Sequence, residues 1–472
     1  MADVSSDNDG RVPSQSPSSI RVISLNCWGL KFISKYRKER LAEIGRQLAN
    51  ASPTPEIVGL QECWTQEDFR EICAATKHIL PHAKFYWSGF FGGGLAILSK
   101  WPIEESSMYR YPLNGRPAAF YRGDWYVGKG VACARIRYGV GKKDVIEVFC
   151  THLHAPYERE PNDSYLCHRT AQAWEIAKLM RHAAERGHAV LGLGDFNMLP
   201  LSLAHRLIEA HSPVRDVWRI VNPLSAVGAA EDVVEKARGL PTPTAAQCLD
   251  LHGATCDSVF NTWRWSKAMQ KDLRRGRDTT IDPETLDVRA KRLDYIFFYA
   301  PPATSGAEWN VQDVQVGMTM RHPTLRCSLS DHFSIETTLS RSPTATTPAD
   351  DQTPTPQTTE QNEMIHPLPQ KTYTEILTLI THYTQRENRQ RRMRLTHFAI
   401  EILIAISCLI AVWFSTRNYV SFILMLLSTL GLSVGVLDGL MGGLFVASEV
   451  RALKEFEFEV RSAWERAGGL DG

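Results

Sequence analysis

The sequence predicts an α+β protein, with two sheets packed face to face, helices outside them, and a pair of long apolar helices at the end. Three observations predict it. Short apolar runs alternate with helical patterns from Ile20 to about Leu339. The runs are joined by both hairpin-length and crossover-length connections, which requires two sheets with helices on the outside. Several runs end abruptly at a carboxylate, an amide or a histidine, and a single such end would mean little.

Taken in order, residues 1–19 are polar, rich in Ser, Asp and Pro, and lack the apolar core of a signal peptide, so disorder is expected. Val22-Ile23-Ser24-Leu25 reads as a buried strand ending at Asn26, and Ile57-Val58-Gly59-Leu60 as one ending at Gln61-Glu62. Residues 36–48 look helical, and 95–98 and 130–136 look like strands. Residues 145–150 form a strand that ends at Thr151-His152. Over 163–185, Ala173, Trp174, Ala177 and Met180 recur at helical spacing, with Gly187 as the C-cap. Ala189-Val190-Leu191-Gly192-Leu193-Gly194 then delivers Asp195-Phe196-Asn197 to a sheet edge. Residues 233–289 are polar with weak periodicity and are expected to be long loops near the site. Strands over 293–298 and 333–339 adjoin the clusters Arg292-Leu293-Asp294-Tyr295 and Ser330-Asp331-His332-Phe333.

The enzyme-like unit is thus residues 20–339. Residues 340–370, rich in Thr, Pro, Gln, Asp and Glu, cannot bury a core and read as a flexible linker. Residues 371–396 form a basic juxtamembrane segment, 397–449 a transmembrane hairpin, and 450–472 a tail. Each apolar run, 398–414 and 419–437 (extended to 447), is near the roughly 20 residues that a bilayer crossing needs. Arg386, Arg389, Arg391, Arg392 and Arg394 precede the runs, and Arg451 and Lys454 follow. The connection carries only Arg417, so both ends and the catalytic unit are expected on the cytosolic side, at the endoplasmic reticulum or another organelle. The alternative is a buried hairpin in a soluble domain, but the linker leaves nothing to bury it against. Glu401 lies early enough to reach the interface, and Asp438 marks the end of the second run. Ten scattered cysteines without a CxxC pair are expected to be reduced, hence cytosol-facing. A net charge of +1 offers no field for gathering nucleic acid, and no nucleic-acid partner is expected.

Carboxylates, amides and histidines at strand ends are the parts of a metal-assisted phosphoester hydrolase. Mg²⁺ bound through oxygen ligands offsets the phosphate charge that repels a nucleophile. Glu62 is the leading metal ligand, with Asn26 orienting it or reaching a water beside it, and Asp331 is placed in the same set. His332 is the candidate base for the attacking water, and Asp294 the partner that fixes its tautomer. Asn197 would donate to the transition-state oxygens, and Asp195 would orient the nucleophile or the histidine. His152 would donate to a phosphate oxygen or protonate the leaving oxygen, although a strand-end histidine is more often structural.

These residues, in Ser24-Leu25-Asn26, Leu60-Gln61-Glu62, Thr151-His152-Leu153, Gly194-Asp195-Phe196-Asn197, Arg292-Leu293-Asp294-Tyr295-Ile296 and Asp331-His332, resemble the endonuclease/exonuclease/phosphatase superfamily, with its DNase I-like four-layer α/β sandwich. Gly92-Gly93-Gly94-Leu95-Ala96-Ile97-Leu98-Ser99-Lys100-Trp101-Pro102-Ile103 looks like that superfamily's second-strand signature. Longer stretches, Thr151-His152-Leu153-His154-Ala155-Pro156-Tyr157, Tyr165-Leu166-Cys167-His168-Arg169 and Ala171-Gln172-Ala173-Trp174-Glu175, resemble the neutral sphingomyelinases. Among these, the likeness is greatest to the membrane-anchored type that includes the fungal inositol phosphosphingolipid phospholipase C. The resemblance implies Mg²⁺-dependent phospholipase C-type cleavage of a sphingolipid head group, leaving ceramide in the membrane. A phosphoinositide phosphatase or nuclease on the same fold, and an inactive membrane adaptor, are the alternatives.

Gly123-Asp124-Trp125-Tyr126-Val127-Gly128-Lys129 mimics a phosphate-binding P-loop, but Gly130 stands where Ser or Thr should be and a strand follows instead of a helix, which excludes an ATPase. The sphingomyelinase group has a similar segment, so Lys129 is a candidate contact for substrate or anionic phospholipid, against an exposed turn lysine. Phe90-Phe91 and Trp263 are candidate interfacial residues, with ordinary packing the alternative.

Overall fold

The computed structural model describes residues 16–158, 163–302, 307–343 and 366–468. The chain divides into two compact units: Met1–Tyr111, Gly128–Pro156 and Gln172–His366 form the first, and Pro112–Val127, Tyr157–Ala171 and Pro367–Gly472 the second.

The first unit holds twelve strands: β1 Ser19–Asn26, β2 Ile57–Gln61, β3 His82–Tyr86, β4 Leu95–Ser99, β5 Ile103–Arg110, β6 Gly130–Arg137, β7 Val145–His152, β8 Ala189–Asp195, β9 Arg215–Asp216, β10 Asp294–Tyr299, β11 Ala307–Gly317 and β12 Ser334–Pro343. They form two six-stranded sheets, in the orders β11-β12-β1-β2-β4-β3 and β5-β6-β7-β8-β10-β9. The runs that read most plainly as strands, β2, β4, β7 and β8, are buried along their whole length, which is why they are continuously apolar.

Ile20, Val22, Ile57 and Ile97 from one sheet interleave with Ile136, Ile146, Leu191 and Ile296 from the other to form the central core. The outer face of the first sheet packs on helices Arg37–Ala49 and Gln66–Thr76 through Leu41, Ile44, Leu48 and Ile72. Ala173, Ile176, Met180 and Ile208 cover the second sheet from outside. The result is helix, sheet, sheet, helix. At Gly59 the two sheets nearly touch, since a Cβ there would lie 2.9 Å from the Leu193 side chain and 3.3 Å from Cys150 Sγ.

Register sets up the site. β1 and β2 are parallel with Asn26 opposite Gln61. β7 and β8 are parallel with His152 opposite Asp195, and β10 runs antiparallel to β8 with Asp294 also opposite Asp195. Three functional side chains therefore stand in one row across three neighbouring strands.

Arg292, just before β10, is fully buried and donates to both Asp216 oxygens at 2.9 and 2.8 Å, while His205 Nε2 lies 3.2 Å from the same carboxylate. Burial alone would raise the Asp216 carboxyl, but Arg292 and His205 outweigh it and hold it at about 2. A depressed carboxyl stabilises the fold above its unfolded value, near 3.9, and that contribution is lost as pH falls toward 2. Asp216→Asn should therefore cost about 3–5 kcal/mol in urea unfolding at pH 7, because it strands a buried guanidinium. The wild-type advantage should shrink between pH 4 and 2; an equal deficit at all pH values would refute the pairing.

Two expectations change. Residues 233–289 are not wholly irregular, since helices Val233–Lys236, Ala245–Asp250 and Lys267–Arg274 punctuate them. They are too short for periodicity to reveal, and two are held by side-chain caps, Thr244 with Gln247 and Ser266 on Met269 N. The end drawn at residue 339 falls inside β12, which pairs with β11 as far as Pro343. Residues 1–15 and most of the linker, 344–365, lie outside the described residues.

In the second unit, helix Gln370–Trp413 runs without a break from the basic segment into the first apolar run. Helix Asn418–Leu440 follows and continues through a π-helical turn, Met441–Phe445, into helix Val446–Gly468. Both long helices contain stretches apolar enough to cross a membrane, each with a mean hydropathy of 2.3 and only 11% of the stretch buried. So little burial is unlike the mostly buried core helix of a soluble protein. Gly431, Gly435 and Gly439 let the two apolar helices approach; a Cβ on Gly435 would come within 2.6 Å of Glu401 Cβ. Asp438 is paired with Arg394 and lies 2.8 Å from His397 Nδ1. Outside the apolar stretches, Tyr373, Ile376, Ile380 and Tyr383 form one buried face, and Leu453, Phe456 and Val460 another.

Candidate active site

The strand ends bring the expected residues together around one oxygen. Asn26 Nδ2 donates to Asp195 Oδ2 at 3.0 Å and lies 3.3 Å from Glu62 Oε1. The same Asp195 oxygen is 3.5 Å from His152 Nε2 and 3.9 Å from His332 Nε2. Its other oxygen accepts from the Asn197 backbone N–H at 2.9 Å. His332 Nδ1 is 2.8 Å from Asp294 Oδ2, which leaves Nε2 directed toward Asp195. Glu62 at φ 54° and Asn197 at φ 46° are in left-handed backbone, an uncommon conformation that turns each side chain sharply at the end of its strand. Asn197 Nδ2 donates to Leu153 O at 3.2 Å. Lys129 is buried, with Nζ 3.4 and 3.2 Å from the carbonyls of His152 and Leu153, so it is not the exposed turn lysine of the alternative reading. Trp263 is also not an exposed tip; it packs 4.7 Å from the Trp28 ring and donates to Ser328 O at 2.9 Å.

The two histidines are driven apart electrically. Burial and the neighbouring positive charges of Lys129 and His332 hold His152 well below the usual histidine range. Burial also opposes charge on His332, but Asp294, Cys256 and Asp195 outweigh it and raise its proton affinity well above that range. Burial and then the Asp294 charge push Asp195 up to about 7. Opposed shifts in neighbouring titratable groups are typical of proton-transferring sites.

Two settings could take a cation. Asp195, Asp294 and His332 bring three ligand-type atoms within 4.8 Å of one another. However, Asp294 Oδ2 is already shared by Thr255 Oγ1 at 2.5 Å and by His332 Nδ1. The second setting is Glu62 with Asp331, the ligands expected from the sequence. Burial and the Asp331 charge raise the Glu62 carboxyl, and burial likewise raises Asp331. Carboxylates are the oxygen ligands that a hard divalent ion takes.

Several supporting residues had no signature in the sequence. Thr255 fixes Asp294 from 39 residues away. Ser330 Oγ donates to Asn26 O at 2.6 Å and accepts from His332 N at 3.2 Å, linking Asn26 to His332. Arg40 is fully buried, donates to the carbonyls of Cys27, Trp28 and Leu329, and lies 4.7 Å from the Trp28 ring. Only its place on a helical pattern was visible beforehand, and an arginine there is usually solvated. Arg40→Lys should preserve folding but raise the Mg²⁺ concentration needed for half-maximal thermal protection, roughly tenfold, because a compact ammonium cannot span the carbonyls of Lys35, Cys27, Trp28 and Leu329 that the planar guanidinium reaches. An unchanged Mg²⁺ requirement would remove Arg40 from the support of the site.

Residues 23–332 match the Endonuclease/Exonuclease/phosphatase family. The chain belongs to the endonuclease/exonuclease/phosphatase family. Its two-sheet sandwich is accordingly the DNase I-like fold. Within the family it is 39% identical over 443 residues to the inositol phosphosphingolipids phospholipase C of Schizosaccharomyces pombe, covering 94% of this chain and 93% of that one. Against the protein of the same name from Saccharomyces cerevisiae the identity is 33% over 467 residues, covering 94% and 90%. Sphingomyelin phosphodiesterase 2 of Rattus norvegicus is 36% identical over 200 residues, 42% of this chain and 46% of that one. This family member therefore falls in the group of inositol phosphosphingolipid phospholipases C and neutral sphingomyelinases, as the resemblance implied.

Proposed function

We propose that this chain hydrolyses the phosphodiester of a sphingolipid head group in the manner of a phospholipase C, releasing the phosphorylated head group and leaving ceramide in the membrane. The chain is a phosphoric diester hydrolase by its relatives. The observation that carries the reading is the 94% and 93% mutual coverage with a phospholipase C of phosphosphingolipids, which takes in the apolar helices as well as the site.

In its neutral form, which the raised proton affinity makes the minor one at neutral pH, His332 Nε2 takes the proton of the attacking water, with Asp294 holding Nδ1 so that the tautomer is fixed and the imidazolium is stabilised. The water oxygen bonds to phosphorus while the phosphorus–oxygen bond to the ceramide breaks. His152, kept neutral, gives a hydrogen bond to a phosphate oxygen, and the leaving ceramide oxygen takes its proton from water. Asp195 orients both imidazoles, and Asn197 offers its amide to the transition-state oxygens. Mg²⁺, held by Glu62 with Asn26 and Asp331, would neutralise phosphate charge and polarise phosphorus. Lys129 supports the backbone beneath His152 and adds a positive charge for the substrate phosphate or an anionic phospholipid.

The two candidate spans support a membrane protein that meets its substrate where it is concentrated, and the basic flanks support a cytosolic catalytic unit at the endoplasmic reticulum or another organelle. Labelled sphingomyelin, inositol phosphorylceramide, phosphoinositide and abasic DNA, each offered to the reconstituted full chain with Mg²⁺, test the reading. Turnover of one or both sphingolipids is expected. Turnover of the last two alone would replace it with a phosphatase or nuclease, and no turnover would favour an adaptor.

A further inference from the structure

Two loops that adjoin the site expose four large apolar side chains. Phe32 is 92% and Ile33 71% exposed, and Phe90 and Phe91 are 75% and 67% exposed. Both loops are fastened to site residues. The first leaves the end of β1, with Gly29 N donating to Glu62 O at 2.9 Å. The second returns through Gly94, whose O accepts from Cys63 N at 2.9 Å and where a Cβ would meet Trp64 at 3.1 Å and Glu62 Cα at 3.2 Å. On its other side Ser88 Oγ donates to Gly128 O at 2.5 Å, beside Lys129. The four apolar residues therefore rise from backbone that grips Glu62 on one side and adjoins Lys129 on the other.

We propose that Phe32, Ile33, Phe90 and Phe91 form a rim that sinks into the interfacial layer of a lipid bilayer, seating the mouth of the site at head-group depth. This rests on the sphingolipid reading. Its occupant is a bilayer because Lys31 and Lys35, both exposed, bracket Phe32 and Ile33 in the pattern of an interfacial segment, with apolar tips below and cations at the head-group level. A protein seated on these loops would close the mouth against a membrane-bound substrate. The second loop is shaped for a shallow approach, since Gly89, Gly92 and Gly94 all have positive φ and a Cβ on Gly92 would meet nothing within 4 Å.

The test uses the full chain reconstituted in vesicles of neutral and anionic phospholipid. A nitroxide is attached to cysteine in Phe32→Cys or Phe91→Cys, with Ser107→Cys on β5 as reference and the unsubstituted chain as background. The rim labels should be relaxed by oxygen and shielded from a water-soluble nickel chelate, and the reference label the reverse. Nickel access equal to the reference overturns the proposal, whatever the enzyme hydrolyses. Phe32→Ser/Ile33→Ser/Phe90→Ser/Phe91→Ser should lower turnover of vesicle-borne sphingolipid by at least about tenfold while leaving a water-soluble short-chain analogue within about twofold. An equal loss on both substrates would make the rim part of the catalytic fold and overturn the proposal. If the wild type turns over neither sphingolipid, the substrate reading fails, while the label measurement still decides the rim.

Discussion

His332→Ala should lower kcat by roughly 10²–10⁴-fold, the range a positioned proton-transfer group supplies. It should shift the Mg²⁺ dependence only modestly, because His332 is held by Asp294 and is not one of the proposed ligands, although its charge reaches Glu62 and Asp331. Steady-state kinetics on mixed micelles measures the first effect, and thermal melts with and without Mg²⁺ measure the second. Removing the ring leaves Asp294 with Thr255 as its remaining side-chain hydrogen-bond partner among those described, so a modest loss of stability is also expected. Asp294→Asn should mimic much of the rate loss while retaining the side-chain volume, since the amide cannot stabilise an imidazolium. Undiminished turnover by His332→Ala would mean that the water is activated elsewhere, and the proton route drawn here would have to be abandoned.

Glu62→Gln should have an effect of similar size through a different cause. If Glu62 is the principal Mg²⁺ ligand, its loss removes several kcal/mol of transition-state charge stabilisation, or roughly 10³-fold in rate. The more telling measurement needs no turnover. Mg²⁺ at 100 times its dissociation constant should stabilise the wild type by about 2.7 kcal/mol, and Glu62→Gln should lose that gain. In metal-free buffer the variant should melt no lower than the wild type, because one of two mutually repelling, desolvated acids is gone. Full Mg²⁺ stabilisation of the variant would move the metal to the Asp195, Asp294 and His332 group instead.

The parts of the fold legible in the sequence were those where burial on both faces leaves a continuous apolar run, and the site was legible where such runs stop. β2, β7 and β8 announce themselves, and so do Glu62, His152 and Asp195 at or just beyond their ends. β5 was hidden because its edge position leaves Glu104, Glu105 and Ser107 exposed and dilutes the alternation. β11 was hidden in the same way, and a bulge between Val311 and Asp313 shifts its register. The helices between residues 233 and 289 are shorter than two or three turns and depend on caps. Thr255, Ser330 and Arg40 act through hydrogen bonds to residues distant in the chain, a relation that spacing along the chain does not carry.

The near-touch of the two sheets beneath the site bears on how rate and stability separate. Glu62 follows a strand of one sheet and Asp195 ends a strand of the other, while Gly59 and Leu193 meet a few residues below. The gap between catalytic halves is thus fixed by a spacer of zero side-chain length, and a single methyl at Gly59 would act as a shim that pries the reacting groups apart while most of the core stayed filled. Thickness of the sandwich is, in this enzyme, a catalytic dimension.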